Sequence, residues 1–378
     1  MRAVFLRVFI IVILVSGVFL IVSKSTQRKS PSYTPKTEKT PNGGLEIPDV
    51  SVVAQNLEIP WALAFLPGGR ILFTERPGRV RMVDEKGTVN TSPIITLDHV
   101  KRIGEGGLLG IAVHPDFAHN RFVYLYYTYS STRDDTSNRV SRYTFENDTL
   151  TDERVIVDAI PGASNHNGGR IKFGPDGFLY ITTGDAQNPS RAQNTTSLAG
   201  KILRVTDDGQ PAPNNPFGTV VYSFGHRNPQ GLTWDAQGAL WATEHGRSGI
   251  QSGLDELNLI EAGKNYGWPI IQGNEKIRGM ESPKIHSGDD TWAPAGAAFV
   301  GTSLFFGGLR GQALYEAAVQ TGNITLRTHF KQEFGRIRDV VSGPDGMLYI
   351  TTSNRDGRGS PAADDDKIIK INPLMFKK

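Results

Sequence analysis

Cysteine is missing from this chain of 378 residues. Its absence excludes disulfides, thiolate catalysis and a lipid anchor attached through cysteine. A zinc site is also not indicated, because there are no cysteine ligands and no two histidines stand at helical spacing. Function classes that depend on a thiol or on a helical zinc motif are therefore ruled out.

Long amphipathic helices and a surplus of charge are also missing. No strand–Gly-x-Gly-x-x-Gly–helix unit is present, which excludes the common nicotinamide-binding fold. The net charge is +3, but residues 1–45 alone carry +6, so the remaining chain sums to −3. It therefore offers no argument for a nucleic-acid partner. Glycine is abundant, with 42 residues, as expected of many tight turns.

Four segments repeat one pattern, in which a turn containing Pro, Asp or Gly precedes a run of apolar and β-branched residues. They span residues 65–74, 173–182, 234–243 and 341–351, and a looser copy spans 113–126. The gap before the last copy leaves room for a sixth unit, where Ser303–Gly307 falls. Such turns predict hairpins. Six units predict an all-β fold, a six-bladed propeller of four-stranded antiparallel blades, because a closed ring leaves few exposed sheet edges.

The N-terminal segment predicts export. Arg2 and Arg7 precede an apolar run at residues 8–22, as in a signal peptide or a membrane anchor, and the sequence leaves these two open. We expect residues 1–23 to be that segment, 24–45 a disordered linker and 46–378 the propeller domain. The propeller would then be periplasmic or extracellular, with a possible membrane tether.

The first polar cluster that could carry chemistry is Asn165–Arg170. Here His166 stands between two Asn and two Gly, with little local apolar cover. It is either a general base near neutral pH or a turn residue bonded to backbone. The second cluster places Arg227 and Asn228 side by side in a loop, which suits carboxylates and carbonyls. The alternative is an exposed arginine that caps the loop.

The third cluster comprises Glu244–Gly246, the acidic pair Asp255 and Glu256, and Asn265–Trp268. Adjacent acids near loop carbonyls suit a hard cation such as Ca²⁺. A solvated acidic pair in a turn would have the same sequence, so both interpretations remain open.

The fourth cluster contains Arg336 and Arg338, which share a face if they lie in a strand. Paired guanidinium groups suggest an anionic ligand, whereas two surface arginines paired with Asp339 or Asp345 would be structural. Arg310 is a lone candidate of the same kind. A further Gly-rich segment, Gly104–Gly110, lacks the Lys-Ser/Thr of a phosphate loop and suits a close backbone approach to a ligand.

In this order the clusters resemble the soluble, pyrroloquinoline-quinone-dependent aldose sugar dehydrogenases of the glucose/sorbosone dehydrogenase family, which are six-bladed propellers. The resemblance runs from about Leu57 to Ile371. It rests on these motifs: Pro60-Trp61, Thr74-Glu75-Arg76, Gly106-Gly107-Leu108-Leu109, Asn165-His166 with Gly169-Arg170, Gly184-Asp185, Gly225–Gly231, Glu244-His245-Gly246, Asn265–Trp268 and Arg336–Asp339.

The resemblance implies catalytic roles. His166 matches the general base that takes the proton of the anomeric hydroxyl as hydride passes to the quinone. Asp185 matches the acid that orients this base and stabilises its charged form. Arg227 and Asn228 match residues that contact the quinone.

The resemblance also implies binding roles. Arg310, Arg336 and Arg338 match the cations that hold the carboxylates of the cofactor. A Ca²⁺ would bridge the cofactor and the carbonyls of Gly246 and Arg247. A second, structural Ca²⁺ would lie at Glu256 and the carbonyl of Tyr266, beside Asp255.

Three positions depart from the family pattern. Glu105 stands where relatives have a Gln that touches the cofactor. A carboxylate there is unfavourable unless Lys101 or Arg102 compensates it or the loop points elsewhere. Arg310 replaces a Lys and Arg247 replaces a Pro.

The sequence thus predicts an exported enzyme that oxidises aldoses to lactones with pyrroloquinoline quinone and Ca²⁺ and passes the electrons to an external acceptor. One alternative is a metal-dependent lactonase-type propeller hydrolase, with carboxylate and Asn ligands converging on the central channel. The other is a non-catalytic extracellular propeller that binds a sugar or a partner. The presence of His166, Asp185 and Arg227 together favours the enzyme.

Overall fold

A computed structural model describes residues 48–130, 136–320 and 323–377. The predicted export segment at 1–23, with its apolar run at 8–22, and the predicted linker at 24–45 lie outside the described residues. Within the described ranges, no helix is long and apolar enough to cross a membrane.

The described chain is built almost entirely of strands. In chain order these are β1 (Val50–Ala54), β2 (Pro60–Phe65), β3 (Ile71–Glu75), β4 (Arg79–Val83), β5 (Ile95–Thr96), β6 (Leu108–Val113), β7 (Phe122–Tyr129), β8 (Ser137–Glu146), β9 (Thr149–Pro161), β10 (Ile171–Phe173), β11 (Leu179–Thr183), β12 (Lys201–Val205), β13 (Val221–Phe224), β14 (Pro229–Trp234), β15 (Leu240–Glu244), β16 (Glu256–Ile260), β17 (Ile285–His286), β18 (Pro294–Val300), β19 (Ser303–Gly308), β20 (Ala313–Gln320), β21 (Asn323–His329), β22 (Ile337–Ser342), β23 (Leu348–Thr352) and β24 (Ile368–Ile371). Helical turns occur at α1 (Phe117–Asn120), α2 (Ser190–Gln193), Gly249–Gln251 and Pro373–Lys377.

These strands form six antiparallel four-stranded sheets, which confirms the predicted six-bladed propeller. Five blades follow the chain as β2–β5, β6–β9, β10–β13, β14–β17 and β18–β21. The sixth consists of β22–β24 with β1 as its outermost strand, and Val50 pairs with Ile371. The ring is therefore closed by hydrogen bonds between the two ends of the domain, so the blade near the C-terminus has no missing strand.

The repeated sequence pattern is the turn between the first and second strands of a blade. In two copies, the N–H of Gly177 bonds the carbonyl of Gly174 at 3.0 Å, and that of Gly346 bonds the carbonyl of Gly343 at 3.0 Å. Both turns need a glycine, with φ of 80° and 76° respectively. The weak sixth unit is also confirmed, because Ser303–Gly307 lies on β19 after the turn that follows β18.

Each turn is tied to its own blade. The Asp176 carboxylate accepts the hydroxyl of Tyr180 at 2.9 Å, and Asp345 accepts that of Tyr349 at 2.9 Å. The second strands that follow are buried along their whole length, as in β11 and β23. Local turn chemistry and apolar burial thus select the same hairpin in each blade.

The two ends of the ring differ. The repeating turns, such as those at Gly177 and Gly346, lie at one end. Because neighbouring strands are antiparallel, the segments that enter each first strand and the loops after each second strand lie at the opposite end. Asn165–Arg170, the pair Arg227 and Asn228, and Arg336 enter first strands, and Gly246 follows a second strand. Asn265–Trp268, by contrast, follows the third strand β16.

Candidate functional site

A cavity of about 340 Å³ lies at the end of the ring opposite the repeating turns. Among the residues that line it are the predicted Glu105, His166, Gly246, Arg247, Asp255, Arg310, Arg336 and Arg338. A small adjoining pocket is lined by Arg227, Glu256 and Tyr266, together with Gly246 and Arg247. A larger groove of about 960 Å³ beside β20 and β21 contains no predicted site residue, so we take the smaller cavity as the site.

His166 and Asp185 contact each other, although they are 19 residues apart. His166 Nδ1 lies 2.8 Å from Asp185 Oδ1. Since a carboxylate oxygen accepts, Nδ1 carries the proton and Nε2 is left as the acceptor on the cavity side. Asp185 is fully buried and also accepts the indole N–H of Trp268 at 2.9 Å and the N–H of Gln187 at 2.8 Å. The carboxylate is thus fixed from three directions.

The backbone of His166 is tightly constrained as well. Its φ is 61°, in the left-handed region that few non-glycine residues occupy. A Cβ added to Gly184 would lie 1.9 Å from the His166 carbonyl oxygen, so this glycine is required for the approach of the two loops. The Asn- and Gly-rich sequence around His166 therefore serves a close packing of loops at the cavity.

Arg227 and Asn228 lie on the entry to β14. Arg227 donates to Ser248 Oγ at 2.7 Å, and burial lowers its pKa despite nearby carboxylates. Asn228 accepts the N–H of Gly168 at 3.0 Å through Oδ1. Their backbone N–H groups both donate to Glu244 Oε1. One buried carboxylate thereby fixes the peptide that presents both side chains.

His226 holds that carboxylate in place. His226 is fully buried, with Nδ1 2.8 Å from Glu244 Oε2 and Nε2 2.9 Å from Ser223 Oγ. It stacks on Tyr266 with ring centroids 4.7 Å apart. Since His226 and Ser223 have no exposed surface, this group is a structural support and not a second reaction centre.

The predicted anion-binding arginines differ in their partners. Arg336 is paired with Asp356 Oδ2 at 2.8 Å. Arg338 is 5% exposed and donates to Gln230 Oε1 at 2.6 Å, and no described carboxylate forms an ion pair with it. Arg310 donates to Ser252 Oγ at 3.1 Å. Burial lowers the pKa of Arg338 to about 9, which identifies it as a cation held in an unfavourable environment.

Glu105 lines the cavity, and its counter-ion is Arg358. Glu105 Oε1 lies 2.6 Å from Arg358 Nη1. Arg102, which the sequence suggested for this role, instead pairs with Glu58 at 3.3 Å, and Lys101 donates to Thr136 at 3.0 Å. Burial acts to raise the pKa of Glu105, but the His245 imidazole and Arg358 outweigh it and hold the pKa at about 2.

The acidic cluster has two parts. Asp255 accepts the N–H of Gly246 at 2.8 Å and those of Trp292 and Ala293 at 2.7 and 2.8 Å, so its oxygens anchor backbone. Glu256 faces Glu244 across paired strands. Burial, followed by the charge of Glu244, raises the pKa of Glu256 to about 8.

Metal binding was predicted from carbonyls as well as acids. In the described ranges, no group of three or more His, Asp or Glu side chains is arranged to hold a metal ion. The Ca²⁺ sites at Gly246 and Arg247, and at Glu256 and Tyr266, remain predictions.

Sequence reasoning missed Arg358 at this site and assigned no role to Trp268, His245 and Arg76, although their motifs were recognised. Arg358 and Trp268 contact predicted residues directly, and His245 lines the cavity with an unpartnered Nε2. Arg76 is 7% exposed, and its Nε has no hydrogen-bond partner among the described residues. Burial lowers the pKa of Arg76. One signal for Arg76 was present, since Gly107 allows the close approach: a Cβ there would lie 2.6 Å from Arg76 Cγ.

Five of the ten buried side-chain atoms that lack a hydrogen-bond partner in the described ranges lie at or beside this cavity. Arg247 Nε, Arg338 Nε and the ring nitrogen His245 Nε2 belong to its lining, Arg227 Nε to the adjoining pocket, and Asn228 Nδ2 to the residue that follows Arg227. Buried polar atoms are normally hydrogen-bonded, so such a concentration needs an explanation. A bound molecule with several acceptor oxygens would provide one.

The chain was compared with known proteins. Residues 57–365 match the family described as glucose/sorbosone dehydrogenase. The aldose sugar dehydrogenase YliI of Escherichia coli is 33% identical over 361 residues, covering 86% of this chain and 93% of that protein. The quinoprotein glucose dehydrogenase B of Acinetobacter calcoaceticus is 36% identical over 260 residues, covering 60% of this chain and 53% of that protein.

A solved structure extends the likeness. It is the form of the Streptomyces coelicolor aldose sugar dehydrogenase with pyrroloquinoline quinone bound, which is 40% identical with a TM-score of 0.79. The match covers 85% of this chain and 97% of that one. The resemblance seen in the sequence motifs is confirmed.

Proposed function

This chain belongs to the glucose/sorbosone dehydrogenase family, and on that premise we propose that it oxidises aldose sugars to lactones with pyrroloquinoline quinone and Ca²⁺. The observation that carries the proposal is the set of unpartnered buried donors around one cavity. Guanidinium groups dominate this set, and guanidinium groups suit carboxylates. A lactonase-type site would instead present carboxylate ligands to a metal.

The residues present fit a tricarboxylate quinone. Arg338 is buried and forms no ion pair with a described carboxylate, and Arg310 donates to the hydroxyl of Ser252. Both can turn N–H groups toward carboxylates. Arg227 and Asn228 would contact the quinone carbonyls with their remaining donors, Nε and Nδ2. Arg336 is already paired with Asp356, so it would orient the cofactor through hydrogen bonds more than it would add net positive charge.

His166 would act as the general base. When bound, the quinone supplies an ortho-dicarbonyl group that accepts the hydride from the anomeric carbon of the sugar. His166 Nε2 accepts the proton of the anomeric hydroxyl, since Nδ1 is already committed to Asp185. Asp185 stabilises the imidazolium that forms, and Trp268 keeps that carboxylate in place. Loss of hydride and proton leaves the carbonyl of the lactone.

Calcium would occupy two places. The carbonyls of Gly246 and Arg247 would hold one ion, and the loop that carries them is fixed by the bond from Gly246 N–H to Asp255. Glu256 and the Tyr266 carbonyl would hold the second. Support comes from the buried carboxylate of Glu244 and the half-buried carboxylate of Glu256, which face each other and would be stabilised by a divalent cation.

The wider setting follows from the same premise. An enzyme of this kind needs an external electron acceptor to reoxidise the cofactor. We propose that it works outside the cytoplasm, after export directed by residues 1–23, whether or not this segment remains as a tether.

Reconstitution tests the proposal. Apo-protein should gain dye-linked aldose oxidation when quinone and Ca²⁺ are added together, with lactone as the product, and nicotinamide cofactors should not replace the quinone. The control is quinone added after a chelator. Aldose oxidation without quinone, or efficient lactone hydrolysis, would refute the assignment.

A further inference from the structure

The loop that carries His166 is tied to a distant part of the chain. Glu105 Oε2 accepts the backbone N–H of His166 at 3.2 Å, and Glu105 N–H donates to the carbonyl of Ser164 at 2.7 Å. Two hydrogen bonds therefore hold residues 164–166 against the entry to β6. A Cβ on Gly104 would lie 2.0 Å from the Ser164 oxygen, so the glycine permits this contact.

Arg358 fixes the other side of Glu105. Its Nη1 lies 2.6 Å from Glu105 Oε1, and its Nη2 donates to Asn165 Oδ1 at 2.9 Å. One guanidinium thus binds the carboxylate and the residue before His166, from a loop that is 253 residues from Glu105. Its fork geometry orients both partners.

The loop of Arg358 is itself anchored. Arg358 N–H donates to Asp356 Oδ1 at 2.9 Å, and Asp356 Oδ2 pairs with Arg336. Asp356 Oδ2 also accepts Ser353 Oγ at 3.3 Å. The guanidinium is 54% exposed, but its backbone is held on the same framework as the predicted cofactor-binding arginine.

We propose that Glu105 is a positioning residue that holds the backbone of His166 for proton transfer, with Arg358 as its counter-ion. The inference rests on the proposed function, because it concerns the base assigned there. Glu105 is 17% exposed, and its pKa of about 2 keeps the carboxylate ionised at neutral pH.

This arrangement explains how a carboxylate is tolerated beside a site for a polyanion. The Glu105 charge is directed to Arg358, and its second oxygen is used by the His166 N–H. His166 is consequently restrained at its N–H by Glu105, at its carbonyl by Ala186 N–H at 3.1 Å and at its ring by Asp185. Loss of the first restraint would let the strained φ of 61° relax and move the imidazole.

The test compares four variants of the full chain. Glu105→Ala removes the acceptor, Glu105→Gln keeps an acceptor oxygen but loses the charge, and Arg358→Met removes the counter-ion. Arg70→Met is the matched control, because Arg70 forms an interblade ion pair with Asp148 at 2.7 Å at the opposite end of the ring. Each variant is measured for kcat, KM, quinone Kd and hydrogen–deuterium exchange of the peptide that contains His166.

We expect Glu105→Ala to lower kcat about 10- to 100-fold, since small misplacement of a catalytic group has effects of this size. Quinone Kd should stay within about threefold, and exchange at the His166 amide should accelerate. Glu105→Gln should retain kcat within about threefold. Arg358→Met should also lower kcat. In the double variant, adding Glu105→Ala to Arg358→Met should lower kcat little further, because the two residues act as one unit.

Other outcomes would overturn the inference. Unchanged kcat and exchange in Glu105→Ala would show that His166 is held without it, and weaker quinone binding at constant kcat would make Glu105 a cofactor contact. If Glu105→Ala does not fold, Arg358→Met, which changes a half-exposed side chain, tests the same inference by the same measurements. If wild-type protein fails to oxidise aldoses, the proposed function fails, whereas amide exchange in the apo-protein still tests the positioning.

Discussion

Replacing Arg338 by Met should stabilise the apo-protein while weakening quinone binding. The guanidinium is 5% exposed, lies over the Trp61 ring at 5.5 Å and has no ion-pair partner among the described carboxylates. Burial lowers its pKa to about 9 from 12.5. The charged form is therefore destabilising at every pH below about 9, and this effect would disappear only as the pH rose toward 12.5.

The size of the effect follows from that shift. At about 1.4 kcal/mol for each pKa unit, burying the charge costs on the order of 5 kcal/mol. The bond to Gln230 and the contact with Trp61 offset part of this, so Arg338→Met should raise the apo stability by about 1–3 kcal/mol, or a Tm increase of about 2–5 °C. Loss of a buried cation opposite a carboxylate should weaken quinone binding by about 2–5 kcal/mol, roughly 30-fold or more.

Arg170→Met is the matched control. Arg170 is 6% exposed and lies over the same Trp61 at 4.5 Å, but its Nη2 lies 3.0 Å from Asp339 Oδ1. Its removal leaves a buried carboxylate without its cation, so the apo Tm should fall and quinone affinity should persist. The assays are thermal unfolding and a quinone titration of each apo-variant. A lower Tm for Arg338→Met, or unchanged quinone affinity, would refute the reasoning.

Three further outcomes are expected. His166→Gln should lower turnover by about 10²–10⁴-fold with quinone affinity retained, and full turnover in steady-state kinetics would identify another base. Lys201 donates to three carbonyls at 2.6–3.0 Å, so Lys201→Met should lower the free energy of unfolding by about 2–4 kcal/mol in denaturant titrations, and an unchanged midpoint would contradict this. Chelation of Ca²⁺ should lower both the Tm and the quinone affinity, and neither should respond if the carbonyl sites bind no cation.

The fold could be predicted because its signals are local. Asp176 and Tyr180 are four residues apart, and the same spacing recurs at Asp345 and Tyr349. A turn that fixes its own hairpin needs no knowledge of the rest of the chain, and six copies require a closed arrangement. The pairing of β1 with β24 was not predictable in this way, because it joins the two ends of the domain.

The candidate site was only partly predictable. His166, Asp185 and the arginines were found because their motifs occur in a recognisable order. Arg358 was not found, since a pair separated by 253 residues depends on which blades are neighbours and on loop conformation. The nearer Lys101 and Arg102 looked suitable in sequence, but their side chains turn toward Thr136 and Glu58.

The two ends of the ring differ in how well their polar groups are hydrogen-bonded, and this difference determines how the cofactor would affect stability. At the turn end, polar groups such as the exposed carboxylate of Asp345 are paired within their own hairpin. At the cavity end, Arg338 and Asn228 keep unpartnered donors, so part of the folding free energy is spent on groups that only a ligand can satisfy. A ligand that binds only the folded chain stabilises it by about 2.7 kcal/mol at 100 times its Kd. Saturating quinone should therefore raise the Tm of wild-type protein. Arg338→Met should lose most of this increase, because its apo form no longer contains the unpaired buried charge.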